Sequence, residues 1–237
     1  MSIPLFYISN YDASQKEIVL EEDTSKHIVQ VLRMKTGEQL NLTDGRGNLL
    51  TCSITDDHKK HCVVEVKGTR HKEQSARKVS VAISLVKNPN RFEWFLEKAT
   101  EIGVSEIIPL ICERTEKEKF RYDRMQGICI SAMLQSQQAW LPVLHEPVEY
   151  IEYVKYSQPR NSALFIAHCI EVEKRPLTNF PISQFSNSKI LIGPEGDFTK
   201  QEVELALQNN FIPVSLGETR LRTETAGVVV ATLLASL

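Results

Sequence analysis

Apolar residues recur at every second position through much of the first third of the chain. Leu40 and Leu42, then Leu50, Cys52 and Ile54, then Cys62, Val64 and Val66 alternate with polar neighbours, separated by the tight turn Asp44-Gly45-Arg46-Gly47 and the polar run Asp56 to Lys60. Alternation puts one set of side chains on one face of a sheet, so the pattern predicts short antiparallel strands at the spacing of a small barrel. One helical pattern interrupts them from Thr24 to Arg33, with Ile28, Val31 and Leu32 on one side and Thr24 or Ser25 placed to cap it. Gly68 to Lys78 is charged, holds no apolar residue except Ala76, and reads as a linker.

Beyond the linker the period changes. Val79 to Val86 reads as a strand, and Asn90 to Ile102 as a helix with Phe92, Phe95, Leu96, Ala99 and Ile102 on one stripe, stopped by Gly103. Glu106 to Ile111 is the next strand and Tyr122 to Gln138 a longer helix ending before Pro142. Ser162 to His168 and Lys189 to Ile192 supply two more strands. Strand and helix in alternation predict an α/β domain with a parallel, doubly wound sheet.

The last fifth holds two glycine turns, each after a short apolar run and before a helical pattern. Ile190 to Ile192 runs into Gly193-Pro194-Glu195-Gly196, and Thr199 with Glu202 forms a capping box that starts a helix. Phe211-Ile212-Pro213 then leads through Val214-Ser215-Leu216 to Gly217, completing a βαβ unit. Ligands bind where strands of an open α/β sheet end in loops, so the two turns together make a candidate site. The final helix, with Ala226, Val228, Val229, Val230, Ala231, Leu233 and Leu234, has almost no polar face. Such a helix is buried on all sides, either in its own core or against a second subunit.

Composition narrows the class. The chain has 237 residues, 42% of them hydrophobic, enough for one large or two small domains with a real core. No apolar run approaches a membrane span and the opening residues form no signal-peptide pattern, which points to a cytoplasmic protein. Five widely spaced cysteines without C-x-x-C, and six histidines without ligand spacing, argue for reduced thiols and no metal. Residues up to 78 carry 12 basic against 11 acidic side chains and the remainder 16 against 19, so bulk charge would not draw in a polyanion. The Gly193 turn lacks the G-K-[ST] of a P-loop and is not G-x-G-x-x-G. An acidic Glu195 would repel phosphate, and a neutral or cationic nucleoside ligand fits better.

Ile192-Gly193-Pro194-Glu195-Gly196, followed by Leu216-Gly217-x-x-x-Leu221-Arg222-x-Glu224-Thr225-Ala226, resembles the ribosomal RNA small subunit methyltransferase E (RsmE) family, uridine-N3 methyltransferases of the trefoil-knotted SPOUT class. His27-Ile28-x-x-Val31-Leu32-Arg33, Glu97 to Val104, Glu113-Arg114 and Ile166-Ala167-His168-Cys169 extend the likeness over nearly the whole chain. The resemblance implies a PUA-like β-barrel RNA-binding domain over 1–72 and a SPOUT α/β-knot methyltransferase domain over 73–237. It implies S-adenosyl-L-methionine as cofactor, 16S rRNA of the small ribosomal subunit as substrate, and a homodimer.

The same resemblance assigns roles. His168, Ile192, Gly193, Pro194, Glu195, Gly196, Leu216, Gly217, Leu221, Thr225 and Ala226 would bind the cofactor. Arg222 would stabilise the uracil anion, and Glu224 would orient Arg222 or act as base. For this pair the bland alternative is a salt bridge, with Glu224 complementing the helix dipole. Arg33, Lys98 and Arg114 would meet RNA, although Lys98 and Glu101 are spaced for an ordinary i, i+3 ion pair. Leu134 to Pro142 departs from the family pattern at Leu134 and Gln138, which leaves a different RNA target open. A non-catalytic ribosome-assembly module of the same fold is the reading from another class.

Overall fold

The computed structural model describes residues 3–156, 162–171 and 173–236; residues 1, 2, 157–161, 172 and 237, which fall within the two domain ranges above, lie outside it. The chain divides into two compact units, 1–74 with 133–141, and 75–132 with 142–237.

The first unit contains β1 (Leu5–Tyr7), β2 (Glu17–Val19), the short helix α1 (Glu22–Lys26), β3 (Gln39–Thr43), β4 (Asn48–Asp56) and β5 (Val63–His71). They form one sheet in the order β1-β3-β4-β5-β2, antiparallel except for the β1–β3 pair. The alternating residues meet on its inner face: Leu40, Leu42, Leu50, Cys52, Ile54, Cys62 and Val64 are buried together with Ile28. The charged stretch beginning at Gly68 is, as far as His71, the outer end of β5 rather than linker.

The helical pattern at Thr24 is realised differently from expectation. Thr24 and Ser25 lie inside α1, and the Ser25 hydroxyl donates to Leu20 O and accepts from Cys62 N. The chain then widens into a π turn, His27–Val31, closed by Leu32 N donating to His27 O. A wider turn advances each side chain through a smaller angle. Ile28 is therefore buried, whereas Val31 and Leu32 are 68% and 44% exposed.

Residues 139–141 seat against the Asp44–Gly47 turn. Gly47 N donates to Ala139 O, Leu141 N to Gly45 O, and the Trp140 indole N–H to Lys72 O. Gly47 has φ +91°, and a Cβ there would sit 2.7 Å from the Trp140 ring, so only glycine fits this turn.

The second unit contains β6 (Lys78–Ser84), α2 (Pro89–Ile102), β7 (Glu106–Ile111), α3 (Tyr122–Gln135), β8 (Val143–Leu144), β9 (Val148–Glu149), α4 (Tyr150–Tyr156), β10 (Ser162–Ala167), β11 (Arg175–Pro176), β12 (Asn187–Ile192), α5 (Lys200–Gln208), β13 (Ile212–Ser215) and α6 (Thr223–Ser236), the last residues of α3 belonging to the first unit. All its strand pairs are parallel, in the order β11-β13-β10-β12-β6-β7-β8 with β9 also on β7. On one face Ala82, Ile108, Leu164, Ile166 and Leu191 pack with Tyr150, Tyr153 and Val154 of α4 and Val203 and Ala206 of α5. The other face carries α2 and α6. Asn88 caps α2, Gly103 ends it at φ +94°, and of the predicted stripe Phe92, Phe95, Leu96 and Ala99 are buried while Ile102 is half-buried.

Gly227, a poor helix former, is required in α6 because a Cβ would lie 2.6 Å from the Phe95 ring and 2.9 Å from Ile83. Within its own unit α6 is buried along one side only, so burial in its own core alone does not account for its apolar faces. Thr223, Glu224, Gly227, Val230, Ala231 and Leu234 are buried as one stripe, while Val228, Val229 and Leu233 stay half-exposed. No helix among the described residues is long and apolar enough to cross a membrane.

At the other end of the strands Glu106 accepts from the Ser80 hydroxyl, faces Lys189 Nζ at 3.9 Å and lies 2.8 Å from His145 Nε2. Burial would raise its pKa, but the Ser80 hydrogen bond, Lys189 and His145 together bring it below the ordinary glutamate value of 4.5. A carboxyl group depressed in the folded state stabilises it above the unfolded pKa and loses that contribution as pH falls through the folded one. Urea midpoints of wild type and Glu106→Gln are therefore expected to differ most near neutrality and to converge as pH falls through the lowered folded pKa, below the ordinary 4.5. Parallel curves across that range would contradict this role.

Candidate functional site

β13, β10 and β12 are neighbours in the sheet and run in the same direction, so the loops leaving their C-terminal ends open at one edge. A cavity of about 530 Å³ lies there. Ala167, His168, Cys169 and Lys174 line it from the first loop, Ile192 to Glu195 and Asp197 from the second, and Val214 to Thr223 with Ala226 from the third.

The second loop turns sharply because each residue in it has a reason to turn. Asp197 N donates to Pro194 O, and a Cβ on Gly193 would lie 3.1 Å from Phe198 N and from its ring. Phe198 is buried against Tyr150, their ring centroids 5.1 Å apart. The predicted capping box then starts α5: Thr199 and Glu202 bind each other's backbone N–H groups. Glu195 Oε1 accepts from Lys87 N, which ties the turn to the loop between β6 and α2. The third loop passes through Gly217 at φ +129° and is fastened to the second by the Thr223 hydroxyl, which donates to Gly193 O at 2.9 Å.

His168 is the most telling group in the wall. Its side chain is 8% exposed and neither ring nitrogen has a hydrogen-bond partner. Burial, reinforced by the Lys174 cation and partly offset by the Asp197 carboxylate, lowers its pKa from the ordinary 6.5, so the imidazole is neutral at pH 7. A buried neutral imidazole with both nitrogens unpaired is an unsatisfied polar group in the cavity wall, of the kind that native structures keep few of.

The structure brings together His168, Ile192, Gly193, Pro194, Glu195, Leu216, Gly217, Leu221, Arg222 and Ala226 around this cavity. Gly196, Thr225 and Glu224 do not line it. Gly196 instead lies beside Arg114, whose Nη1 donates to Gly196 O at 2.7 Å. The expected pairing of Glu224 with Arg222 is not formed. Glu224 is buried in the first turn of α6, with Oε1 3.7 Å from Arg91 Nε and Oε2 without a partner, while Arg222 is exposed. Lys98 forms the ordinary ion pairs with Glu97 and Glu101. Arg33, in the first unit, is exposed at φ +57°.

Sequence reasoning missed Lys174, Asp197 and Thr223 as parts of the site. Asp197 and Thr223 contribute through hydrogen bonds to Cys169 N and Gly193 O, far away in sequence, which no local spacing records, and Lys174 through carbonyls of its own loop. Among the described residues no group of three or more His, Cys, Asp or Glu is placed to hold a metal ion.

Comparison with known proteins bears on this geometry. A family profile described as an RNA methyltransferase domain matches residues 72–235, and one described as an RNA methyltransferase PUA domain matches 20–67. A Rickettsia conorii protein named ribosomal RNA small subunit methyltransferase E is 30% identical over 94% of this chain and 91% of its own. The crystal structure of a probable rRNA-methyltransferase from Porphyromonas gingivalis is 40% identical, covers 99% of this chain and 98% of its own, and superposes with a TM-score of 0.88. The ribosomal RNA small subunit methyltransferase E of Neisseria gonorrhoeae, solved bound to S-adenosyl methionine, is 27% identical with the same coverage and a TM-score of 0.88.

Proposed function

Because the chain belongs to the RNA methyltransferase family, among the ribosomal RNA small subunit methyltransferase E proteins, we propose that it uses S-adenosyl-L-methionine to methylate N3 of a uridine in 16S rRNA. The observation that carries this reading is the cavity at the ends of β13, β10 and β12 with the unpartnered His168 in its wall. Its 530 Å³ lies within the range of roughly 300–1,000 Å³ usual for small-molecule sites. Its lining suits a nucleoside: Ile192, Val214, Leu216, Leu221 and Ala226 are apolar, and the turns at Gly193 and Gly217 present backbone rather than side chains. These residues would hold the cofactor.

S-adenosyl-L-methionine supplies a methyl group made electrophilic by the attached sulfonium. The chain's own residues then have three tasks. Uridine N3 must pass its proton to a carboxylate or to solvent, and the resulting anion must then be stabilised, which the exposed Arg222 guanidinium at the cavity wall can do. Water must be kept out, because a dry site strengthens that interaction. The reacting atoms must be aligned, which the three tied loops provide. Glu224 contributes by ordering the start of α6 with Arg91, not through Arg222.

In this reading residues 1–72 are the RNA-binding, PUA-like domain and 73–237 the catalytic domain, whose three cavity loops form the knot. Arg33 meets RNA from the barrel side and Arg114 from the catalytic domain, where Lys98 would join it by exchanging its ion pairs with Glu97 and Glu101 for phosphate. The half-exposed Val228, Val229 and Leu233 of α6 support a homodimer, since a second copy would cover them. The protein works in the cytoplasm, and its near-neutral charge suits a substrate presented in an assembled particle rather than free RNA.

The test is to incubate the purified protein with labelled S-adenosyl-L-methionine and small ribosomal subunits from cells lacking it, then map the label by nucleoside mass spectrometry. A single 3-methyluridine in the small-subunit RNA is expected. A label on another base, or none despite cofactor binding, would overturn the substrate assignment.

A further inference from the structure

The turn after β12 carries a residue where glycine would be at ease. Asp197 has φ +63°, a left-handed conformation that side chains rarely adopt, aspartate and asparagine being the usual exceptions besides glycine. Its carboxylate is the reason to put a side chain there. Oδ2 accepts from Cys169 N at 2.8 Å, and Oδ1 from its own neighbour Phe198 N at 2.9 Å. The first of these bonds joins the loop after β12 to the loop after β10, two walls of the same cavity. From the other side Lys174 Nζ donates to His168 O at 2.8 Å and Ile170 O at 2.9 Å. The segment 168–170 is thus gripped by a carboxylate at an N–H and by an ammonium at two carbonyls, with the unpartnered His168 ring between the grips.

We infer that Asp197 is a positioning residue: its carboxylate clips the loop after β10 to the loop after β12 and so holds His168 in the wall of the methyl-donor cavity. The inference rests on the reading that this cavity takes S-adenosyl-L-methionine. Charge-assisted hydrogen bonds to backbone N–H groups are stronger than neutral ones, and this one spans a loop that otherwise leaves the sheet.

Two variants of the full chain separate the clip from the backbone. Asp197→Gly accepts the same φ and removes the carboxylate; the flexibility it adds and the strain it relieves are of similar size, so its melting temperature is expected within about 3 °C of wild type. Asp197→Asn keeps an acceptor oxygen. Cys169 is the exposed cysteine of the five, so maleimide labelling reports how firmly its loop is held, without any methyl transfer.

Asp197→Gly is expected to bind S-adenosyl-L-methionine about tenfold more weakly by calorimetric titration and to label about tenfold faster, with Asp197→Asn restoring most of both. Wild-type affinity and labelling in Asp197→Gly would overturn the inference, as would a loss matched by a large fall in melting temperature and not rescued by asparagine. A wild-type protein that binds no S-adenosyl-L-methionine would overturn the reading of the cavity instead, and the labelling rates alone would then decide the clip.

Discussion

Arg222→Ala is expected to lower the rate of methyl transfer by about 10²- to 10³-fold while leaving S-adenosyl-L-methionine affinity within about threefold of wild type. The expectation follows from where the guanidinium is. Arg222 lines the cavity, is exposed, and its side chain makes no ion pair or hydrogen bond among the described residues, so no part of the fold depends on it. A cation held beside developing negative charge acts on the transition state far more than on the bound ground state. Single-turnover rates on small ribosomal subunits at saturating cofactor would measure the effect directly. Arg222→Lys is expected to recover part of the rate, since it restores charge without the planar fork. Undiminished transfer in Arg222→Ala, or a loss traced wholly to cofactor affinity, would remove Arg222 from the chemistry.

Glu202→Ala is expected to weaken the second unit's stability strongly, lowering the free energy of unfolding by about 3 kcal/mol. Glu202 is 5% exposed, and its two oxygens serve three donors: Thr199 N at 2.8 Å and Thr199 Oγ1 at 3.2 Å on one, Glu113 N at 2.9 Å on the other. Alanine would leave two backbone N–H groups without partners and remove half of the capping box that starts α5. The damage would also reach the site. Glu113 precedes Arg114, which holds Gly196 O, so the anchor of the glycine turn would loosen with the helix start. Urea unfolding at neutral pH tests this, with Glu202→Gln expected to lose less. A change below about 1 kcal/mol in Glu202→Ala would show that water replaces the carboxylate at little cost.

Much of this architecture could be read from local pattern because local pattern was its cause. The Thr199 to Glu202 spacing specified a capping box, and the box is there. The apolar stripe from Phe92 to Ala99 marked the buried face of α2, and period two marked β3, β4 and β5. Where the reading failed, the deciding contact came from far along the chain or from a rarer backbone state. Nothing in His27-Ile28-Val29-Gln30-Val31 announces a π turn, so Val31 and Leu32 were assigned to the wrong side. Glu224 stands two residues from Arg222 but pairs with Arg91, because the first turn of α6 faces α2. The cavity loops were found from their glycines, while the groups that tie them together, Asp197 and Thr223, act across gaps in sequence that no motif spans.

The strand order also sets a timetable for assembly. β6 opens the second unit, yet its partner on the cavity side is β12, with Val81 opposite Ile190, roughly a hundred residues later. The centre of the sheet therefore cannot close until most of the chain has left the ribosome, and each loop of the cavity is made later still or only just before. Long-range parallel pairing of this kind slows folding, because chain entropy is lost before the contacts that compensate for it can form. A nascent chain arrested short of Ile192 would expose the apolar edges of β6 and β10, so in the cell this unit is at its most vulnerable to aggregation and proteolysis in the interval before its final fifth is synthesised.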